Sequence, residues 1–374
     1  MDLALYDPEH GYYARAGQRS GRAGDFFTSV DVGPLFGELL AVQLAEMWRL
    51  LNAGAPPSPF DLVEAGAGNG RLSGDILRVT RLRDPEFYDA VRLHLVEASA
   101  AARAAQPATL ADVAERVASS SAVLPASFEG ALVANELLDA LPVHQVVMRE
   151  DGPREVYVAA VSQTVSQTVS EPVSETVCDT VCDTGLQLVE GPPSTPALAE
   201  YLERAGVRLE PGWRVEVNLR AIEWIRDAAR RLTRGFIILV DYGHEARELY
   251  SAAHSLGTLT TFSRHHSSGP EPSAAAPSWL QRPGGQDITA HVDFTSVRAA
   301  AEAEGMTTIA LLDQTYFILG LIAGWNADAL AARAGALKTL MMPGGIGSTH
   351  KVLILGKGVG TPALKGCSFS VRAT

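Results

Sequence analysis

Phe60-Asp-Leu-Val-Glu64-Ala-Gly66-Ala-Gly68-Asn-Gly70-Arg71 is the stretch from which the fold is read. A short apolar run ends in a carboxylate, crosses three alternate glycines and enters a helical pattern at Leu72, Ile76 and Leu77. Glycine tolerates φ > 0 and lacks the Cβ that would hold a ligand away from the backbone. The helix beyond it offers unpaired N–H groups and a partial positive charge. The pattern predicts a strand–loop–helix crossing that holds a polar ligand at the carboxyl end of a strand.

The spacing narrows the choice of ligand. A dinucleotide fingerprint, G-x-G-x-x-G, would need glycine at Arg71 when read from Gly66, or at Ser73 when read from Gly68. The order E-x-G-x-G-x-G instead resembles motif I of the class I S-adenosylmethionine-dependent methyltransferases. The electrostatics agree, because Glu64 beside the loop suits a cofactor carrying a sulfonium and an ammonium better than one carrying a pyrophosphate. On this stretch alone, a glycine-rich surface turn remains the competing reading.

Composition sets the outer limits. With 374 residues, 47% hydrophobic and 20% charged, the chain has the makings of an ordinary globular core. A net charge of −12 argues against a nucleic-acid partner and favours a basic protein or peptide. The three cysteines form neither a disulfide framework nor a zinc spacing, so no metal is expected and a reduced cytoplasmic compartment is. No apolar run reaches the roughly 18 residues of a membrane span, so no membrane partner is expected. The oligomeric state is not encoded in any motif.

Outward from the loop, further strands end in polar groups. Val91 to Val96 ends in Glu97, placed to accept both hydroxyls of a ribose. A weak third strand is expected near Ala114–Ala118. Gly130 to Ala134 runs into Asn135 and Glu136, with Asp139, Pro142 and His144 behind them. Phe236 to Val240 is the most β-like run and ends in Asp241. Thr307 to Leu312 and Lys351 to Lys357 complete seven strands interleaved with helices. Helices are expected from Pro34 to Leu51, along the apolar face from Val217 to Leu232 and over Val297 to Glu304, the last opened by Asp287 to Phe294, with a further helical region over Phe317 to Met341.

The organisation follows: an N-terminal segment over 1–52, core over 53–144, an inserted hairpin region over 145–212 and core again over 213–244. A loop-rich lid covers 245–289, the core ends over 290–360, and a tail covers 361–374. Within the hairpin insert, valines at 161, 165, 169, 173, 177 and 181 mark a tetrapeptide repeat. Its period suits neither strand nor helix, and it reads as a low-complexity expansion that carries Cys178 and Cys182 along with it.

Together these stretches resemble the MidA-like methyltransferases, a family that includes the mitochondrial complex I assembly-factor arginine methyltransferase. The matching residues are Leu5-Tyr6-Asp7-Pro8, Gly11-Tyr12-Tyr13, Gly24-Asp25-Phe26 with Thr28-Ser29, and Phe36-Gly37-Glu38. They continue through the glycine loop, Ala134-Asn135-Glu136, Pro142-Val143-His144-Gln145, Asp241-Tyr242-Gly243, Asp287-Ile288-Thr289, Val292-Asp293-Phe294 and Lys351-Val352-Leu353. The resemblance implies an α/β fold: a Rossmann-like, seven-stranded class I methyltransferase sheet with inserted segments. It implies S-adenosyl-L-methionine as cofactor and a protein arginine as acceptor, with a respiratory-complex subunit as one such partner.

Methyl transfer is an in-line displacement, so the enzyme mainly holds two reactants close and aligned. Glu64, Gly66, Gly68 and Gly70 are expected to hold the methionine part, Glu97 the ribose, and Asn135 the junction with the acceptor. A guanidinium does not lose its proton freely, so carboxylates must grip it and accept the proton as the methyl arrives. Glu136 is the first candidate and Asp139 the second, with Asp25, Asp241 and His144 as substrate-binding groups. A small-molecule methyltransferase and a cofactor-binding assembly factor without turnover remain alternatives. An NAD-linked oxidoreductase is disfavoured by Arg71.

Overall fold

Seven strands form the central sheet. They are β1 (Phe60–Ala65), β2 (Val91–Val96), β3 (Val117–Ser121), β4 (Phe128–Asn135), β5 (Leu232–His244), β6 (Thr307–Asp313) and β7 (His350–Lys357). Their order is 3-2-1-4-5-7-6; β7 is antiparallel to both neighbours and the other pairings are parallel. The inner strands β1, β4, β5 and β7 carry apolar residues on both faces. A two-residue strand, Val292–Asp293, adds to β5. The structure, a computed structural model, describes residues 1–14, 28–54, 56, 58–160, 185–263, 266–270, 277–342 and 346–369. The valine repeat and Asp25 lie outside these described residues.

Alternation along each strand divides the core into two layers. Phe60 and Leu62 of β1, Ala131 and Val133 of β4, and Phe236 and Ile238 of β5 face helices α1 (Leu35–Leu51), α2 (Arg71–Arg83) and α5 (Gln314–Ile322). Val63, Leu132, Ile237 and Leu239 point the other way, toward α3 (Leu219–Arg231) and α4 (Phe294–Ala303). Leu39, Leu40 and Leu44 of α1 are fully buried, each contributing roughly 1.5–3 kcal/mol. Because both faces are covered, the strand ends and the loops beyond them are left to form a site.

Two insertions stand apart from the central sheet. Leu186–Gly191, Gly152–Ala160, His144–Arg149 and Arg214–Val217 form a four-stranded antiparallel sheet, larger than the hairpin expected. Within 245–289, Thr260–Ser263 pairs with His266–Ser268 and with Asp287–Thr289. The N-terminal segment bonds both to the core and to the second of these insertions. Tyr6 donates to the Ala140 carbonyl at 3.0 Å, and Tyr13 donates to Asp287 Oδ1 at 2.9 Å.

Four expectations need correction. The third strand begins at Val117, since Ala111–Arg116 is a 3-10 turn; as an edge strand rich in serine, β3 lacks the apolar pattern that would have located it. Val217 ends a strand, and α3 starts after Asn218, whose side chain caps it by accepting from Ala221 N at 2.8 Å. Asp287 begins a strand; α4 starts only at Phe294, capped by Asp293. The helical region expected over Phe317 to Met341 starts earlier, at Gln314, and is divided into three helices, Gln314–Ile322, Ala327–Ala332 and Ala334–Met341, with Asn326 capping the second. Among the described residues no helix is long and apolar enough to cross a membrane.

Gly130 and Gly235 pair across β4 and β5, both with left-handed backbone. A Cβ on Gly235 would lie 1.9 Å from the Gly130 carbonyl oxygen. Gly235→Ala is therefore expected to cost on the order of 3 kcal/mol, seen as a lower urea midpoint by circular dichroism.

Candidate active site

The glycine loop closes tightly at the carboxyl end of β1. Gly66, Gly68 and Gly70 all adopt left-handed φ, at 73°, 52° and 82°. Gly66 and Ala67 both donate to the Val96 carbonyl, tying the loop to the end of β2. Leu137 packs over Gly66 and Leu110 beside Gly70, whereas a Cβ on Gly68 would meet no atom within 4 Å. The middle glycine therefore borders open space. Glu97 faces it: Oε2 accepts from Gly68 N at 2.8 Å and Oε1 from Ser99 N at 2.7 Å.

Glu64 is placed differently from the expectation. Its carboxylate is buried beneath the loop and accepts both the N–H and the hydroxyl of Ser73 in α2. Burial pushes its carboxyl up to about 7, against the lowering effect of the Ser73 bonds. It braces the strand–helix crossing from within. Arg71 occupies the position where a dinucleotide loop would need glycine. It reaches to Asp31 Oδ1 at 2.9 Å and the Val30 carbonyl at 2.6 Å, anchoring the turn Ser29–Val32 beside the loop.

At the end of β4, Glu136 has φ of 51°, the one non-glycine residue with positive φ among the described residues. Such strain persists where the surroundings enforce it and clusters at functional sites. Glu136 Oε1 accepts from Asn135 Nδ2 at 3.2 Å and from Ser29 N at 3.3 Å, and lies 3.5 Å from His350 Nε2. No hydrogen bond from the described residues reaches Oε2. Asn135 Oδ1 is buried without a partner among the described residues.

Asp241 does not face a substrate. It is 2% exposed, and its Oδ2 accepts from the N–H groups of Leu137, Leu138 and Asp139 at 3.2, 2.8 and 3.4 Å. Its Oδ1 takes the N–H of Tyr242 at 2.9 Å. Asp139 lies beneath the same turn, 4% exposed, and bonds the Tyr242 hydroxyl. Burial, and then the charge of Asp241, push its carboxyl far above the usual range. Burial also pushes the Asp241 carboxyl up to about 7, against the lowering effect of its amide bonds, so of these two neighbouring acids Asp139 is the one that more readily holds a proton. His144 is likewise drawn off into the four-stranded sheet, its Nδ1 2.7 Å from Glu155 Oε1.

Three contributors escaped the sequence reading. Ser29, Gln314 and His350 come from opposite ends of the chain; Ser29 Oγ donates to Gln314 Oε1 at 3.1 Å. Thr28-Ser29 in the N-terminal motif was the only available signal. A separate group was also unforeseen: His244, His254 and His291 converge, with one ring nitrogen of each within 4.8 Å of the others. Burial lowers His244, and burial with the neighbouring rings lowers His291 to about 4.

A model of the S-adenosyl-L-methionine-dependent methyltransferase family matches residues 39–312. The chain belongs to this family. Its cofactor is S-adenosyl-L-methionine. Among similar proteins, mouse "Protein arginine methyltransferase NDUFAF7, mitochondrial" is 30% identical over 359 residues, 90% of this chain and 72% of the relative. The human protein of the same name is 30% identical, over 81% of this chain and 65% of its own length. The Drosophila melanogaster homologue is 28% identical, over 82% and 66%. The chain thus spans about two-thirds of the length of these curated relatives. A Burkholderia thailandensis crystal structure bound to S-adenosyl-homocysteine superposes with a TM-score of 0.81 at 27% identity, covering 100% of this chain and 90% of that one.

These findings overturn the cytoplasmic expectation, because the relatives are named as mitochondrial. Cysteine usage reports only redox poise, which does not distinguish one reducing compartment from another. The residues of the site fit the family's cofactor. Open space borders Gly68, Glu97 retains lone pairs for hydroxyl donors, and the orphaned Asn135 oxygen can accept from an ammonium.

The buried Glu64 gives the site a pH signature. Its folded pKa of about 7 lies above the ordinary 4.5, so the native state binds more protons between them. Its contribution to stability therefore falls as pH rises through that window, by up to about 3 kcal/mol. Calorimetric melts of wild type and Glu64→Gln from about pH 5 to about pH 8 should show the variant gaining steadily on wild type. A constant gap would mean that Glu64 does not titrate there.

Proposed function

We propose that the chain transfers a methyl group to a guanidinium nitrogen of arginine in a protein substrate. The observation that carries this reading is Glu136, a carboxylate held by a strained backbone at the end of β4, beside the glycine loop on β1. The names of the relatives as protein arginine methyltransferases support the acceptor, and a net charge of −12 favours a basic segment. The resemblance to the complex I assembly-factor branch extends the proposal to a respiratory-complex subunit as the acceptor protein.

The bound cofactor supplies an electrophilic methyl on a sulfonium. Around it, Glu97 receives ribose hydroxyls on the lone pairs that Gly68 and Ser99 leave free. Asn135 Oδ1 takes an N–H from the methionine ammonium. Gly66, Gly68 and Gly70 keep the backbone close to the ligand, and Glu64 holds their loop rigid through Ser73. Glu136 grips the guanidinium with both oxygens and accepts its proton as the nitrogen is methylated. Ser29 N and Asn135 Nδ2 fix the orientation of that carboxylate, while His350 flanks it. Asp241 acts one step back, holding the 137–139 turn so that Glu136 stays in its left-handed conformation.

Full-length protein, incubated with methyl-tritiated S-adenosylmethionine and cell lysate, should place label in protein. Acid hydrolysis should return that label as methylarginine. Glu136→Gln should lower the rate by about 100-fold or more while leaving S-adenosyl-homocysteine binding intact. Gly68→Val, at a left-handed position facing the open space, should abolish that binding in isothermal titration. Label confined to small molecules, or full activity in Glu136→Gln, would refute the proposal.

A further inference from the structure

We propose that His244, His254 and His291 form a binding site for a divalent metal ion of the zinc type, which staples the 245–289 insertion to the core. The three rings come from separate places in the chain. His244 is the last residue of β5, His254 ends the 3-10 turn Ala252–His254, and His291 sits between the strand Asp287–Thr289 and the strand Val292–Asp293. They therefore mark the start of the insertion, its first turn and its exit. The ring centroids stand 4.9, 5.3 and 5.7 Å apart. A close gathering of three imidazoles is a good donor set for a metal.

The orientation of the rings supports this assignment. Metal-bound histidines commonly direct their second nitrogen to a carbonyl or carboxylate, which fixes the ring and its tautomer. Here one residue serves two rings: His254 Nδ1 lies 3.1 Å from the Glu248 backbone carbonyl, as a donor, leaving its other nitrogen free. The Glu248 carboxylate lies 3.1 Å from His244 Nδ1, within ion-pairing distance of that ring. His291 Nδ1 is buried with no hydrogen-bond partner among the described residues, a cost that a bound cation would remove. Its backbone N–H is anchored by Thr258 Oγ1 at 3.1 Å, and Tyr242 packs edge-on against its ring.

The chemistry selects the ion. Three neutral imidazoles suit zinc, and with no fourth protein ligand among the described residues a water or small anion would complete the tetrahedron. At zinc–nitrogen bonds of ~2.0–2.1 Å, ligand nitrogens stand roughly 3.4 Å apart. Small ring rotations from the present 4.8 Å envelope would close the site. Tyr242 joins it to the reaction centre, since its ring also packs against His350, which flanks Glu136.

The test uses tag-free, full-length protein stripped with chelator and dialysed. Zinc titration followed by mass spectrometry of bound metal should give one ion per chain, and cobalt should give the intense visible bands of tetrahedral coordination. Zinc should also raise the thermal midpoint, because binding the native state alone stabilises it. His254→Ala, at a half-exposed position, should fold normally and lose the zinc-dependent shift. Glu248→Gln, whose side chain is 63% exposed, should weaken cobalt binding by about 10- to 100-fold. Wild type that takes up no more metal than folded His254→Ala, or uptake equally tight in both, would overturn the proposal.

Discussion

One buried carboxylate sets the geometry of the reaction centre. Asp241 gathers the N–H groups of three consecutive residues in the turn after β4 and the N–H that follows it on β5. Hydrogen bonds to a charged acceptor are among the stronger ones, and in a dry interior an unpaired carboxylate would be costly. Each side therefore depends on the other: the buried carboxyl needs the amides, and the turn needs its acceptor oxygens. With the turn fixed, Glu136 is driven into a backbone conformation that it would not choose, and Leu137 is pressed onto Gly66. The glycine loop and the end of β4 become a single rigid unit.

The same economy appears at Glu64, Arg71 and Asp139. Each is a charged or ionisable group in a motif that suggested contact with a ligand, and each instead holds the scaffold. Glu64 joins strand to helix through Ser73, and Arg71 joins that helix to the N-terminal turn. Asp139 lies buried beneath Asp241 and Tyr242, its carboxyl pushed far above the usual range by burial. Ligand-facing chemistry is left to a smaller set: the backbone around Gly68, Glu97, Asn135 and Glu136.

The central sheet was legible because each of its main strands is an apolar run that stops at a polar residue. Both faces of these strands are covered, so the signal is local and strong. What was not legible lay at the margins. The edge strand β3 carries serines, Asn218 and Asn326 cap helices that periodicity alone misplaces, and Asp287–Thr289 pairs with a strand inside the loop-rich insertion. In the site, sequence picked out Glu97, Asn135 and Glu136 because they terminate strands. It had no means of showing which acids turn inward, since the direction of Asp241 and Asp139 depends on which amides the fold brings to them. Ser29, Gln314 and His350, and the histidine trio, meet only through long-range packing.

The N-terminal turn has a consequence for how the chain is made. Ser29 touches Glu136 and Gln314, Tyr6 reaches Ala140, and Tyr13 reaches Asp287. These early residues leave the ribosome long before their partners do. Tyr13 and Ser29 must wait for Asp287 and Gln314 while the strands between them are made. Contacts so distant in sequence are slow to form, and the waiting segment carries Tyr6, Tyr12 and Tyr13 exposed to the cell. Ser29 therefore completes its pair of contacts late, so that a chain broken off before Gln314 would leave the Ser29 hydroxyl without this acceptor even where the strands of the glycine-loop half had folded.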